Sequence, residues 1–232
     1  HFTLNAAHII HECLVDRNWG LGYRITELDN DAFEAAADTL HEEGFGLSLM
    51  WEQQTSITEF VDEVKRHINA ELYTNRSTGK LVLKLIRDDY DEATLPLFNP
   101  SNVESVIDFK RPAFGDLVNS VTVNYTNDIL NQTSTVTVQD LALLQQQRNV
   151  IQATVDYPGI RGGSLASRAA LRDLRTLSAP LVTCSVITNK DAQDLNLGSV
   201  FKLTWPDYNI EEMVMRVTGI NFGDGRNNRI TI

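Results

Sequence analysis

The sequence predicts an α+β chain in which a helix–strand–helix–hairpin subdomain precedes a mainly antiparallel β-barrel with one packed helix. Three observations lead there. Apolar residues at helical spacing crowd the chain before residue 70. From residue 103 onward, short period-two runs alternate with turn residues. A lone helix of alanine, leucine and arginine over residues 164–177 then interrupts those runs and leads into further short strands. A helix-rich first part and a strand-rich remainder place the expected boundary at the proline-bearing connector, giving subdomains 1–95 and 96–232.

Residues 6–15 are expected to form the first helix, with Asn5 as N-cap and a turn at Asn18-Trp19-Gly20-Leu21-Gly22. Phe33, Ala36, Ala37 and Leu40 fall at i, i+3, i+4 and i+7, so residues 31–43 form the second, closed by Gly44. Alternation of Phe45, Leu47, Leu49 and Trp51 predicts a strand over 45–51. Ser56 and Glu59 make a capping box for a third helix, whose stripe is Ile57, Phe60, Val61, Val64 and Ile68. A hairpin follows, 71–74 and 80–87, turned at Ser77-Thr78-Gly79.

After the connector at Leu95-Pro96 and Asn99-Pro100, strands are expected over 103–109, 119–125, 134–138 and 150–156, with a short helix over 140–147. Tyr157-Pro158-Gly159 and Gly162-Gly163 turn the chain into the arginine helix. Beyond Pro180 come strands over 181–187, 200–205, 213–220 and 229–232, the last after a turn at Gly223-Asp224-Gly225. A strand running to the final residue is expected of a fragment of something longer, or of an edge that a neighbour covers.

At 232 residues and 42% hydrophobic, the chain can bury one large core or two modest ones. The absence of an apolar run near 18 residues argues against membrane insertion by a helix. Net charge is −11, from 31 acidic and 20 basic residues, which argues against sequence-specific or general duplex binding. The same sign as DNA suits a surface that DNA slides past without sticking. Cys13 and Cys184 lie far apart in apolar patterns and are expected as free thiols.

Chemistry-bearing constellations are sparse. His8 and His11 stand at i and i+3 on a stretch of helix with Glu12 beside them, but the stretch lacks the His-Glu-x-x-His pattern. Asp88, Asp89, Asp91 and Glu92 form an acidic turn without the glycine of a calcium loop. Neither serine nor cysteine sits in a nucleophile motif. No catalytic residue, metal site or cofactor is therefore expected. The candidate interface residues are Arg161, Arg168, Arg172 and Arg175, the last three at i, i+4 and i+7, together with Trp205 and Tyr208 around Pro206. The arginines suit either a solvated face or the carboxylates of an adjacent subunit. Trp205 suits either a partner anchor or a plug closing one end of the strand-rich part.

The runs Ala166-Ser167-Arg168-Ala169-Ala170-Leu171-Arg172-Asp173-Leu174, Leu177-Ser178-Ala179-Pro180-Leu181 and Gly198-Ser199-Val200-Phe201-Lys202-Leu203-Thr204-Trp205-Pro206-Asp207-Tyr208 carry a resemblance. It continues through Val136-Thr137-Val138-Gln139-Asp140-Leu141-Ala142, Leu83-Lys84-Leu85-Ile86-Arg87-Asp88-Asp89-Tyr90-Asp91 and Asn5-Ala6-Ala7-His8-Ile9-Ile10. In that order, over nearly the whole chain, they resemble the tail-tip or tail-hub proteins of siphophages, prophages and gene transfer agents. Ile57-Thr58-Glu59-Phe60 followed by Gly79-Lys80-Leu81-Val82-Leu83 is similar, more weakly, to baseplate hub proteins of contractile-tailed phages.

The resemblance implies a tube-like β-barrel that self-associates as a ring, commonly a trimer, around the tail axis. It implies tube, tape-measure and fibre proteins as partners, a place in the virion tail with assembly in the bacterial cytoplasm, and a role in DNA ejection. Two other functions stay open at this point: a tail-associated cell-wall hydrolase or peptidase, and a receptor- or carbohydrate-binding module.

Overall fold

The computed structural model describes residues 3–50, 56–130, 132–223 and 229–232. In chain order the elements are β1 (Leu4–Asn5), α1 (Ala6–Val15), α2 (Asn30–Glu42), β2 (Gly46–Leu47), α3 (Ile57–Ile68), β3 (Ala70–Thr74), β4 (Leu81–Leu85), β5 (Leu97–Phe98), β6 (Val103–Lys110), β7 (Ser120–Asn127), β8 (Gln132–Gln139), α4 (Leu141–Gln147), β9 (Gln152–Tyr157), α5 (Gly163–Leu177), β10 (Thr183–Thr188), β11 (Val200–Trp205), β12 (Ile210–Arg216) and β13 (Ile230–Thr231). The chain divides into two compact units, and each is built from two separated segments. The first unit is His1–Ala70 with Arg111–Leu181; the second is Glu71–Lys110 with Val182–Ile232. The single boundary expected at 95/96 follows the order of elements along the chain, whereas the units interleave.

In the first unit, α1 packs against α2 and α3. The Asn5 side chain accepts from the Ala7 amide at 3.0 Å, and its Nδ2 donates to the Ala37 carbonyl at 2.8 Å. One residue thus caps α1 and ties it to α2. The capping box of α3 is formed as the sequence predicts, with Glu59 Oε2 accepting from the Ser56 amide and Ser56 Oγ from the Glu59 amide. Asn69 ends α3 in the left-handed region at φ 52°.

The unit's larger sheet has the order β8-β7-β9. β7 and β8 form an antiparallel hairpin, while β9 returns parallel to β7 from Ser120↔Gln152 to Tyr125↔Tyr157. One face of this sheet is covered by α5. Val121 and Val123 are buried there, as are Ala166, Ala169, Ala170 and Leu174 of the helix. Alanines at this seam let helix and sheet approach closely, which directs α5 to β7 and β8.

The second unit stacks two three-stranded sheets, ordered β13-β10-β6 and β12-β11-β5. Their shared core includes Phe98, Val106, Val186, Phe201, Leu203 and Ile210. Phe98 and Phe201 meet edge to face at 5.3 Å between ring centroids.

Three expectations need correction. Among the described residues, no sheet closes into a barrel: the strands after residue 95 fall into separate three-stranded sheets with free edges. Closure demands continuous pairing at a fixed stagger, and the β10–β6 ladder is interrupted by register shifts, while β5 offers β11 only two residues. The lone packed helix, α5, lies on β7 and β8 and belongs with them to the first unit, whereas the strands that follow it belong to the second. Finally, the strand expected over 45–51 shrinks to β2, paired with β1, and Met50 is 72% exposed. Trp51 and the turn residues Asp224 and Gly225 lie outside the described residues.

Candidate functional site

A connected polar cluster of the first unit sits where α3 ends, β9 turns and α5 passes. Arg172 projects from α5 into this corner. Its Nη1 donates to the His67 carbonyl at 2.8 Å, its Nη2 to the Tyr157 hydroxyl at 2.8 Å, and its Nε to Asp173 Oδ1 at 3.0 Å. Tyr157 in turn donates to Asp173 Oδ2 at 2.7 Å. Burial pushes the Tyr157 hydroxyl up to about 12, so it stays a neutral donor. Arg66 lies 4.8 Å over the Tyr157 ring, pairs with Glu63, and donates to the Asp156 carbonyl at 2.5 Å.

At the centre is His67, fully buried. Its Nδ1 lies 2.8 Å from the Glu63 carbonyl, and Nε2 accepts from the Gly159 amide at 3.1 Å. An amide can only donate, so Nε2 is unprotonated and the proton sits on Nδ1. Burial holds the imidazole below its ordinary pKa, and the neighbouring Arg66 and Arg172 push the same way. Both ring nitrogens are spent on backbone, so this histidine braces the corner and offers no lone pair to a substrate or metal.

The predicted interface residues separate. Arg172 is committed inward, as described. Arg161 Nε donates to the Ser48 carbonyl at 3.2 Å. Arg168 and Arg175 are exposed on α5. In the second unit, Trp205 is half-buried against the shared core, while Tyr208, 42% exposed, stacks on Phe109 at 4.5 Å with rings 9° from parallel. Helical spacing grouped Arg168, Arg172 and Arg175 together; it carries no information about the one pointing at a carbonyl and a phenol on other elements. His67, Tyr157 and Asp173 escaped sequence reasoning. The available signal was the position of His67 beside Val64 and Ile68 on the apolar side of an amphipathic helix.

A cavity of about 500 Å³ opens beside α1 and β2, lined mainly by apolar side chains such as Leu4, Ile9, Leu47 and Phe60, with His8, Glu12 and Cys13 at its wall. Burial pushes the Cys13 thiol up to about 11, which leaves it protonated and unreactive near neutral pH. His11 turns its ring edge to Phe33 at 5.6 Å. Asp89 pairs with Lys84 at 3.3 Å, and Asp91 caps a short turn through the Ala93 amide. Among the described residues, no three His, Cys, Asp or Glu side chains converge as metal ligands, and no helix is long and apolar enough to cross a membrane. Cys13 and Cys184 are both free.

Comparison with known proteins places this architecture. Several solved structures share the fold, and three of them illustrate it. A component of the native gene transfer agent virion superposes at a TM-score of 0.60 with 14% identity, covering 80% of this chain and 39% of its own. The tail protein of Neisseria meningitidis MC58 gives 0.56 with 11% identity, over 80% of this chain and 57% of its own. The 43 kDa tail protein of prophage MuSo2 from Shewanella oneidensis gives 0.51 with 12% identity, over 79% and 55%. The chain thus spans less than two thirds of the length of each. No curated protein matches it. A family profile described as "Putative phage tail protein" matches residues 56–220, well over half of the sequence and parts of both units, and the chain therefore belongs to that family of phage tail proteins.

Proposed function

We propose that this chain is a structural, non-catalytic part of a phage or prophage tail tip or baseplate hub. In this reading it organises the distal tail tube as a ring, a trimer by the family resemblance, after assembly in the bacterial cytoplasm. It contacts tube, tape-measure and fibre proteins and helps open the path for DNA. The free edges of the second unit's two sheets supply strands to a tube-like wall that closes only with neighbouring subunits. Arg168, Arg175 and Tyr208 face those neighbours, while Arg161, Arg172 and Trp205 hold the surfaces in shape.

The observation that carries this reading is the family match across residues 56–220. The chemistry of the chain agrees with it: the buried imidazole and the protonated thiol are unsuited to bond-making. Immunogold labelling of particles from the producing strain tests it. Label at the distal end of the tail, and tailless or non-delivering particles when the gene is deleted, are expected. Absence of the chain from purified particles, or clearing of cell wall in a zymogram, overturns it.

A further inference from the structure

On α5, Arg168, Leu171 and Arg175 stand at i, i+3 and i+7 on one solvent-facing side, opposite the alanines that bury against the sheet. Leu171 is 42% exposed between the two guanidinium groups. Neither arginine forms an ion pair among the described residues. A large apolar side chain flanked by two unpaired cations is an unpartnered helix face that calls for an anionic counterpart with a small apolar centre.

The same unit carries such a counterpart. The exposed side of α2 bears Asp31, Glu34, Asp38 and Glu42, with Ala35 among them. These carboxylates also form no ion pairs among the described residues. Asp31–Glu34, Glu34–Asp38 and Asp38–Glu42 are like-charge neighbours at i+3 or i+4, which weakens an isolated helix. Glu42, in the last turn, also opposes the helix dipole. A cationic partner relieves both. Asp31 and Asp38 are seven residues apart, as are Arg168 and Arg175, so each pair is separated by about 10.5 Å along its helix. The spacing of the cations thus equals that of the anions, with Leu171 set against the shallow surface over Ala35.

We propose that the Arg168–Leu171–Arg175 face of α5 docks on the Asp31–Ala35–Asp38 face of α2 in a second copy of this chain. The proposal deepens the ring-assembly reading and rests on it for its biological setting. Isolated surface ion pairs contribute little; here several charges act together around a leucine that docking buries, and reversing them changes attraction to repulsion.

The test is concentration-dependent sedimentation of the full chain, with R168E/R175E, D31K/D38K and an equimolar mixture of the two. Wild type is expected to associate, and each variant alone to associate at least about tenfold more weakly, with the mixture regaining part of the loss through contacts between unlike variants. A second readout needs no charge variant: wild-type association must weaken as salt rises from about 50 to 300 mM. A wild-type chain that stays monomeric at about 1 mM, reversals without effect, a mixture that does not recover, or salt-insensitive association each overturns the contact. If the swap succeeds but the chain is missing from tails, the tail-hub reading falls and the contact stands. If the chain is in tails but the swap fails, only the contact falls.

Discussion

His67 and Gly159 are joined across the first unit by one hydrogen bond, from the Gly159 amide to Nε2 at 3.1 Å, with the imidazole fully buried. The Ser48 amide reaches the Gly159 carbonyl from the other side at 2.9 Å, so this one glycine links the turn after β9 to both α3 and the segment after β2. The bond requires a neutral imidazole, because a second ring proton would confront the amide proton.

That requirement sets a pH dependence. The groups around the ring are Glu63 and Arg66 on α3, Tyr157 on β9, and Arg172 and Asp173 on α5. Glu63 favours protonation, but burial outweighs it and the arginines add to burial, so the folded pKa lies below the ordinary 6.5. Above 6.5 both folded and unfolded states are neutral at this site, and stability is independent of pH through it. As pH falls below 6.5 the unfolded state takes up a proton that the native state refuses, and stability declines until the folded pKa is reached. The slope is at most about 1.4 kcal/mol per pH unit. Denaturant unfolding of wild type and His67→Leu between pH 7.5 and 5 checks this. The variant should lose about 1–3 kcal/mol at pH 7.5 through the orphaned Gly159 amide, and its decline with pH should be shallower. Equal slopes would exclude His67 as the titrating group.

Gly159 itself leaves no room for a side chain. A Cβ there would stand 2.7 Å from Leu49 Cγ and 3.1 Å from His67 Nε2. Gly159→Ala must therefore displace either a packed leucine or the bonded imidazole, at a cost of about 1–3 kcal/mol. Gly115→Ala, where a Cβ meets nothing within 4 Å, serves as the control. A shift in unfolding midpoint at 159 with none at 115 is the expected result.

How much of this was legible in the sequence depends on how local the cause is. The capping box of Ser56 and Glu59, the Asn5 cap and the α2 stripe are local signals, and each element forms close to its expected place. Pairing partners were not legible. β5 lies inside the proline-bearing connector, where two residues show no periodicity, and its partner β11 is remote in sequence. β9 reads as one more alternating strand, and nothing in Gln152–Tyr157 announces that it runs parallel to β7. The candidate interface was half legible for the same reason: spacing located the arginines on a helix, while the inward turn of Arg172 depends on Tyr157 and the His67 carbonyl.

Arg172 and the two outer arginines should accordingly respond in different assays. Arg172→Met removes donors from the His67 carbonyl, Tyr157 and Asp173, and its side chain is 25% exposed, which moderates the loss. A destabilisation of about 1–3 kcal/mol is expected. Arg168→Ala and Arg175→Ala should stay within about 0.5 kcal/mol of wild type in the same unfolding experiment. In a double-mutant cycle, Arg172→Met and Tyr157→Phe should couple, since they share one hydroxyl. Additive losses would mean that the Arg172–Tyr157 bond does not persist in solution.

Asn119 carries the last prediction, at the start of β7. It is completely buried, yet all its polar atoms are engaged. Nδ2 donates to Gln147 Oε1 at 2.6 Å and to the Asn149 carbonyl at 2.7 Å, while Oδ1 accepts from the Ile151 amide at 3.0 Å. The side chain thereby fixes the end of α4 and the entry of β9 beside β7, which sets the parallel register. Asn119→Leu leaves a buried amide, a carbonyl and the Gln147 side chain to find new partners, and about 2–4 kcal/mol of stability should be lost. Asn119→Asp keeps the acceptor toward Ile151 but sets a carboxylate against Gln147 Oε1 and the Asn149 carbonyl. Its loss should shrink as pH falls and the acid becomes protonated, because the neutral group can again donate once. A pH-independent deficit in Asn119→Asp would show that donation at this corner does not set its stability.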